Sequence, residues 1–287
     1  METSSFASRF GADAGGAGSP VPERDVEAYQ ARGVVVLRGA FRDWVETLRS
    51  GVAAVMADPS PFERTVRPDD GSPPFFQDYC NWDRIEGFRR FVFESPAGAI
   101  AAALMRSAQA RFFHEHVLVK EPGTTVETPW HHDQPYYCMA GEKTVSLWVA
   151  LDPVARETSV EYVGGSHRWG RTFRPMRFNG TDLFVDDRSE RVPDISARRD
   201  EYDLAGWEME PGDAVAFSFR TLHGAPGNVS ESVRRRAFTA RFVGDDAVFR
   251  DLGGLGSPPF RDLGLRDGEP LAGPAFPVVH PGAPTGT

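Results

Sequence analysis

The feature that most constrains the fold is a run of short apolar strands in the second half of the chain, separated by turn residues. Six stretches rich in β-branched, aromatic and other apolar residues are predicted strands: residues 116–120, 130–133, 144–151, 159–163, 214–219 and 236–243. Turn-forming pairs lie between them at residues 122–123, 164–165 and 211–212. Many short strands with frequent turns are typical of a jelly roll or barrel. The sequence therefore predicts a mainly β fold.

The first half of the chain is predicted to supply helices that flank this β structure. A short helix ends at Gly33, and the β-branched residues 34–37 follow as a strand. Apolar side chains then recur at helical spacing over residues 41–52, which indicates an amphipathic helix. Residues 88–105 are predicted to form a further helical region. We expect these helices to pack on one face of a sheet.

A chain of 287 residues can bury a large core, and we expect one domain. Residues 1–20 are small and polar and are predicted to form a flexible arm, and residues 21–287 form the single β domain. The charged stretch 171–206 lacks periodicity and is predicted to be a lid, because loops this long are usually functional or disordered. The Pro- and Gly-rich tail after Gly253 is expected to lie on the surface.

Charge and cysteine usage exclude several classes of function. The formal net charge is -9, and a protein that binds nucleic acid needs a basic surface, so no nucleic-acid partner is expected. Cys80 and Cys138 form no recognisable disulfide framework, which favours a reducing compartment. The chain has neither a secretory signal pattern nor an apolar stretch long enough to span a membrane. We therefore expect a cytoplasmic monomer or homodimer.

A candidate metal site lies in one of the predicted strands. Residues two apart on a strand point to the same face, so His131 and Asp133 can bind one ion together while His132 faces away. Two histidines and one carboxylate form the facial triad that holds ferrous iron and leaves coordination positions open. His223 is the best candidate for the third ligand, because it follows a turn and the apolar strand at residues 214–219.

The other histidines have weaker claims to the metal. They are His114, His116, His167 and His280. The closest rival is the triplet at residues 114–116, in which the two histidines share a strand face and Glu115 faces the other way. A facial triad built there would need a carboxylate from elsewhere in the chain.

Seven separated segments together resemble the phytanoyl-CoA dioxygenase family of iron(II)- and 2-oxoglutarate-dependent oxygenases, over about Glu23 to Pro277. In chain order they are residues 117–123 (VLVKEPG), 129–136 (PWHHDQPY), 145–152 (VSLWVALD), 164–170 (GGSHRWG), 211–213 (PGD), 223–228 (HGAPGN) and 234–237 (RRRA). So many motifs in register are hard to obtain by chance. The resemblance implies a double-stranded β-helix, a cupin-like jelly roll that holds iron at its open end.

The resemblance also implies a set of site residues. His131, Asp133 and His223 fall on the family's iron(II) ligands, and Trp148 and His116 fall on positions beside the cosubstrate. The implied cofactors are Fe(II), 2-oxoglutarate as cosubstrate, and O2. Because Asp133 is present, the carboxylate site is not vacated for a halide, which argues against halogenation.

In the family, an arginine about a dozen residues after the last histidine binds the far carboxylate of 2-oxoglutarate. A guanidinium offers two parallel donors to a carboxylate and keeps its charge. Arg234, Arg235 and Arg236 compete for this role, and Arg235 is favoured because it keeps the family's offset from Ala237 and faces away from its two neighbours. Ala225 is a departure, since some members place a serine there toward the cosubstrate.

The leading hypothesis is a 2-oxoglutarate-dependent dioxygenase that hydroxylates a small molecule and releases succinate and CO2. Two alternatives are a metal-dependent jelly-roll enzyme that does not use 2-oxoglutarate, and a non-catalytic jelly-roll binding protein. Substrate contacts are expected from residues 75–79, 134–137 and 171–206. A natural-product scaffold or an acyl intermediate fits the resemblance, and the sequence does not choose between them.

Overall fold

A computed structural model describes residues 19–177, 181–184 and 187–280. Most of the predicted N-terminal arm lies outside this part of the chain, so its flexibility stays a prediction. The described helices are α1 (Glu23–Arg32), α2 (Val45–Ala57), α3 (Glu86–Glu94) and α4 (Ala97–Met105). None of them is long and apolar enough to cross a lipid bilayer.

Thirteen strands are described, and together they form two main antiparallel sheets and a small ribbon. They are β1 (Val34–Leu37), β2 (Phe75–Tyr79), β3 (Ala110–Lys120), β4 (Thr128–His131), β5 (Met139–Ala140), β6 (Thr144–Ala150), β7 (Glu161–Val163), β8 (Leu204–Ala205), β9 (Ala214–Phe217), β10 (His223–Ala225), β11 (Arg235–Val243), β12 (Val248–Phe249) and β13 (Val278–His280). The large sheet has the order β1-β9-β6-β11-β3-β13, with β2 also paired to β3. The small sheet has the order β4-β10-β7-β8, and β5 pairs with β12.

The central strand β11 separates an apolar core from a polar cavity. Phe238, Ala240 and Phe242 belong to the core that the helices cover, and the Phe238 ring lies 4.6 Å from Phe88 and 5.3 Å from Phe91, measured between centroids. The alternate residues of the strand line the cavity, namely Arg235, Ala237, Thr239 and Arg241. Because strand side chains alternate between faces, one short sequence supplies both surfaces.

The junction between α1 and β1 requires a glycine. Gly33 ends the helix with a left-handed backbone, φ 71°, and its N–H donates to the Tyr29 carbonyl at 2.7 Å. A Cβ on this residue would lie 2.3 Å from Nδ1 of His167. The left-handed backbone lets the chain turn directly from the helix into β1 at the edge of the large sheet, and the close approach leaves no room for a side chain.

The predicted mainly β fold with flanking helices is confirmed, and some details differ. The strands β2, β5, β8, β10, β12 and β13 were not predicted, because each is short or lies in a segment rich in turn residues. The expectation that the tail after Gly253 lies on the surface is wrong for part of it, since Leu271 and Phe276 are buried and β13 pairs with β3. Cys80 and Cys138 are both free thiols.

Candidate metal centre and cavity

Two neighbouring strands of the small sheet bring the predicted metal ligands together. β4 and β10 are antiparallel, and His131 lies directly opposite His223, with their ring centroids 4.3 Å apart. The strand predicted at residues 130–133 ends early in the structure. β4 stops at His131, and Asp133 has helical backbone angles, φ -71° and ψ -38°. This turn beyond the strand places the Asp133 carboxylate beside both histidines.

The three side chains form one compact donor set. Oδ1 of Asp133 lies 3.6 Å from Nε2 of His131 and 3.8 Å from Nε2 of His223. One ligand atom from each residue lies within 4.8 Å of the others, and no other group of histidine, cysteine and acidic residues in the described chain meets this test. Two imidazoles and one carboxylate on a single side match the facial arrangement that suits iron(II).

Backbone carbonyls fix how the two histidines can bind. Nδ1 of His131 donates to the Pro129 carbonyl at 2.7 Å, and Nδ1 of His223 donates to the Thr221 carbonyl at 2.9 Å. Each ring therefore keeps its proton on Nδ1 and presents the lone pair of Nε2. Burial, together with the neighbouring His131, lowers the pKa of His223 to about 3, so its ring is neutral.

The second oxygen of Asp133 is held by a buried arginine that was not predicted. Nε of Arg241 lies 3.2 Å from Oδ2 of Asp133, and Oγ of Ser146 donates to the same oxygen at 3.3 Å. Burial alone would raise the pKa of Asp133, but Arg241 and the two histidines hold it well below its usual range. The carboxylate is thus ionised and fixed in orientation, with Oδ1 directed toward the histidines.

His132 faces away from this site, as predicted. Its Nε2 accepts a hydrogen bond from the Phe173 N–H at 3.0 Å, and burial lowers its pKa to about 4. The rival triplet at residues 114–116 forms no such donor set among the described residues. His114 is fully buried, with neither ring nitrogen paired to a described residue, and Glu115 accepts a hydrogen bond from the Asn81 N–H on the other face.

A cavity of about 1010 Å³ joins all the site residues predicted from the sequence. Its lining includes His131, Asp133, His223, Arg235, Trp148 and His116. The His116 ring stacks on Tyr79, with centroids 3.9 Å apart and planes inclined by 20°. Trp148 lies on β6, which β11 separates from the β3 strand of His116. Further aromatic wall comes from Tyr136, Tyr137, Tyr162 and Phe217.

The three consecutive arginines have different environments. Arg234 pairs with Glu121 at 2.8 Å and Arg236 pairs with Asp152 at 2.6 Å, both outside the cavity. Arg235 is buried in the cavity wall, where Nη1 donates to the Thr158 carbonyl, and no described acidic side chain pairs with it. A buried cation without an acidic partner is costly unless an anion can bind beside it.

Lys120 lies directly opposite Arg235 on β3 and adds a second cationic group. Its Nζ donates to the Pro226 carbonyl at 2.8 Å and lies 4.7 Å from the centre of the Phe75 ring. Burial, and then the charge of Arg235, lowers the pKa of Lys120 to about 6. Neither Lys120 nor Arg241 was predicted. Both are charged residues of otherwise apolar strands, and both lie on the same face of the sheet as Arg235. That pattern is the signal that identifies them.

Comparison with known proteins decides the family. The model of the family described as phytanoyl-CoA dioxygenase (PhyH) matches residues 29–237, which is more than half of the chain. The chain belongs to the phytanoyl-CoA dioxygenase family. The predicted resemblance is confirmed, and so, at the level of the family, is the prediction of an oxygenase that uses iron(II), 2-oxoglutarate and O2. No curated protein sequence matches the chain.

Solved structures share the fold of this family member. SnoK, a non-haem α-ketoglutarate-dependent carbocyclase from nogalamycin biosynthesis, is 24% identical with a TM-score of 0.74, covering 92% of this chain and 100% of SnoK. The epimerase SnoN, solved with Fe3+, α-ketoglutarate and nogalamycin RO, is 22% identical with a TM-score of 0.70, covering 90% and 98% of the two chains. EctD from S. alaskensis, solved with 2-oxoglutarate and 5-hydroxyectoine, is 18% identical with a TM-score of 0.67, covering 90% and 88%. At these identities the likeness shows the double-stranded β-helix fold.

Proposed function

We propose that this chain is a dioxygenase that hydroxylates a small molecule at an iron(II) held by His131, Asp133 and His223, with 2-oxoglutarate anchored by Arg235. The observation that carries the proposal is the single cavity that joins the triad to a buried arginine lacking an acidic partner. An iron site alone would not need such an arginine.

The metal assignment rests on the chemistry of the donors. One ligand nitrogen of each histidine and one oxygen of the ionised Asp133 carboxylate lie within 4.8 Å of one another. The hydrogen bonds to Pro129 and Thr221 hold the rings, and Arg241 with Ser146 holds the carboxylate. Such supporting contacts raise metal affinity because the ligands lose little freedom on binding.

The cosubstrate assignment rests on charge. Arg235 and Lys120 are opposite one another in the cavity wall, and neither forms an ion pair with a described acidic side chain. A carboxylate at this point would accept parallel hydrogen bonds from the guanidinium and would favour the protonated form of Lys120. Trp148 and His116 lie on either side of Thr239 on the two strands that flank β11, and all three line the cavity. The body of 2-oxoglutarate would contact them there.

Iron(II), 2-oxoglutarate and O2 would together supply an oxidant that removes a hydrogen atom from the substrate, with succinate and CO2 as co-products. The protein's own part is to hold the ligands, exclude water and aim the target carbon. The aromatic wall of the cavity suits the last two tasks, because its rings are rigid and apolar. Tyr79, Tyr136 and Tyr137 line the cavity together with the metal candidates.

The size and lining of the cavity favour a natural-product scaffold as substrate. At about 1010 Å³ it lies at the upper end of ligand pockets, and a five-carbon diacid occupies only part of it. Residues from the predicted lid line it, among them Met176, Leu183 and Val192. SnoN was solved with nogalamycin RO, a relative's ligand that supports a scaffold of this size.

A second outcome of the same chemistry is a rearrangement of the substrate without net hydroxylation. SnoK is a carbocyclase and SnoN an epimerase, and both share the fold over at least 90% of this chain. Product analysis with a turned-over substrate separates the outcomes, because hydroxylation adds one oxygen atom from O2.

Anaerobic titration with iron(II) and then 2-oxoglutarate tests the proposal directly. The wild type is expected to develop a visible charge-transfer absorption, since 2-oxoglutarate chelates the metal. His131→Ala should abolish the absorption, whereas Arg235→Met should shift the titration to higher 2-oxoglutarate concentration. His132→Gln is the matched control and should behave like wild type. Folded wild-type protein with no absorption would sink the proposal, and a screen of candidate substrates by succinate release then identifies the substrate.

A further inference from the structure

The cavity is strongly cationic in a protein that is acidic overall. Its described lining contains six arginines and one lysine, and its one acidic side chain is that of the metal candidate Asp133. The chain as a whole has a formal charge of -9. A low-dielectric cleft lined by one sign of charge concentrates ligands of the opposite sign.

Three of the cationic groups lie deep in the cavity, and the other four are nearer to solvent. The deep ones are Lys120, Arg235 and Arg241, which are buried and already have roles in the proposed iron and cosubstrate sites. The four others, here called the outer arginines, are exposed or half-buried: Arg64, Arg174, Arg177 and Arg191. They come from two distant parts of the chain, the segment before β2 and the predicted lid.

The outer arginines are poorly neutralised by the described residues. Arg64 donates to the carbonyls of Pro61 and Glu63, and Arg177 donates to the carbonyls of Asp182 and Leu183, so neither has a described acidic partner. These carbonyl contacts orient each guanidinium but leave its full charge.

Arg174 and Arg191 share one carboxylate. Asp182 lies 2.8 Å from Nη1 of Arg174 and 3.8 Å from Nη2 of Arg191. Nε of Arg174 is buried and has no hydrogen-bond partner within the described ranges. One acid for two arginines leaves this pair with a positive charge, and with an unused donor that an oxyanion could accept from.

Three arginines outside the cavity are each paired with an acidic side chain. Arg32 binds Asp203 through three hydrogen bonds, Arg234 pairs with Glu121, and Arg236 binds Asp152 twice. Arg64 and Arg177 differ from these three, because each lies in the cavity lining without a described acidic partner.

We propose that the outer arginines bind an acidic substituent of the substrate, a carboxylate or a phosphate, while the aromatic wall holds the rest of the molecule. The proposal rests on the proposed function, which assigns the deep cations to iron and 2-oxoglutarate. Iron(II) and the 2-oxoglutarate dianion carry equal and opposite charges, so their binding leaves the positive charge of the cavity uncancelled. A neutral substrate would leave the outer arginines unused.

The test compares charged and neutral probes of one shape. 2-Naphthoate, 2-naphthyl phosphate and the neutral 2-naphthamide are titrated into wild-type protein holding iron(II) and excess 2-oxoglutarate under argon, with binding measured by calorimetry. The anionic probes are expected to bind about tenfold more tightly than the amide, because more than one guanidinium faces the acid. The advantage should shrink as the ionic strength rises. Preference for naphthoate identifies a carboxylic acid as the substrate class, and preference for naphthyl phosphate identifies a phosphate ester.

The double variant Arg64→Gln with Arg177→Gln assigns the effect to the outer arginines. Neither residue has a described acidic partner, so the variant leaves no carboxylate unpaired, and the anionic advantage should fall about fivefold or more. Arg42→Gln with Arg168→Gln removes the same charge from exposed positions outside the cavity lining and should keep the advantage. Equal binding of the amide and the anions to wild type, or equal loss in both double variants, overturns the inference. The proposed function fails by a different result, the absence of the iron and 2-oxoglutarate absorption in wild type without any probe.

Discussion

The two faces of the large sheet are both buried, but they differ in what they bury. On the face toward the helices, Val117, Leu147 and Phe238 have almost no exposure and belong to the apolar core. On the face toward the cavity, His116, Trp148 and Arg241 are nearly as buried, yet polar atoms of His116 and Arg241 have no partner among the described residues. Equal burial therefore does not mean an equal contribution to stability.

The difference shows how one set of strands can both stabilise a fold and prepare a site. Burying an aromatic or aliphatic side chain stabilises the folded state by about 1.5–3 kcal/mol. Burying a cation or an unpaired polar atom has the opposite sign unless a ligand satisfies it. The helix-covered face thus supplies stability that offsets the cost of the unpartnered polar atoms on the cavity face.

The largest expected contrast is between two arginines of β11 that face opposite ways. Arg241→Met leaves Asp133 buried and unpaired, and should lower the free energy of unfolding of the metal-free protein by about 3–5 kcal/mol. Arg236→Met removes a partly exposed pair whose Asp152 keeps Arg49 at 3.5 Å, and should cost about 1 kcal/mol or less. Urea unfolding with and without a saturating divalent metal measures both.

Metal should recover most of the stability lost in Arg241→Met, because the ion supplies the positive charge that Asp133 has lost. It should change Arg236→Met no more than it changes wild type. If both variants lose the same stability, or if metal does not rescue Arg241→Met, the buried charges on the two faces of the large sheet do not differ in their effect on stability.

A smaller contrast is expected at Arg235. Arg235→Met should weaken 2-oxoglutarate binding by about 30- to 100-fold, the loss of charge-assisted hydrogen bonds to one carboxylate. The unfolding free energy of the metal-free protein should not fall, because the variant removes a buried cation that has no described acidic partner. Calorimetric titration and urea unfolding give the two numbers. A variant that loses stability but keeps its 2-oxoglutarate affinity would reverse the roles assigned here.

The contrast between faces also explains which features the sequence could predict. Apolar runs between turn residues located β6 and β11. Strand alternation placed Arg235 on the opposite face from Arg234 and Arg236, and of the three only Arg235 lines the cavity. The strand β10 carries His223 in only three residues, and β13 pairs with β3 from far along the chain. Neither leaves a local pattern to read.

The candidate site shows the same limit. His131 and Asp133 were selected because they share a strand face, and the structure brings them together although β4 ends before Asp133. Arg241 was missed because its partner, Asp133, lies 108 residues away, and only the tertiary fold reveals the ion pair. A charged residue in an apolar strand is a signal that can be used in other sequences, and it would also have identified Lys120.

Lys120 gives a pH-dependent test of the cavity face. Burial lowers its pKa to about 6, below its ordinary value of 10.5, so the unfolded chain binds the extra proton between these values. The stability of the empty protein should therefore decrease as the pH falls from about 10.5 toward 6, and this contribution levels off below 6. An anion bound beside Lys120 raises its pKa again, so 2-oxoglutarate binding near pH 7.5 should take up part of a proton.

Calorimetry of 2-oxoglutarate binding in two buffers of different ionisation enthalpy measures this proton uptake. Wild type should show it and Lys120→Met should not, while Arg234→Met, which removes a cation outside the cavity, should retain it. Unchanged uptake in Lys120→Met would mean that another group takes the proton.

The smallest expected effect is in the small sheet, where the side chains of the neighbouring residues His131 and His132 point to opposite sides. His132→Ala removes the acceptor of the Phe173 N–H and should lower the free energy of unfolding by about 1 kcal/mol, the usual worth of one hydrogen bond. Iron(II) affinity should stay within about twofold of wild type, since the ring contributes nothing to the donor set. His131→Ala should do the reverse, because its half-buried ring adds little to stability but supplies one of the three proposed ligands. A large loss of iron affinity in His132→Ala would show that the direction of the Phe173 segment, and not only the alternation of side chains, determines the geometry of the metal centre.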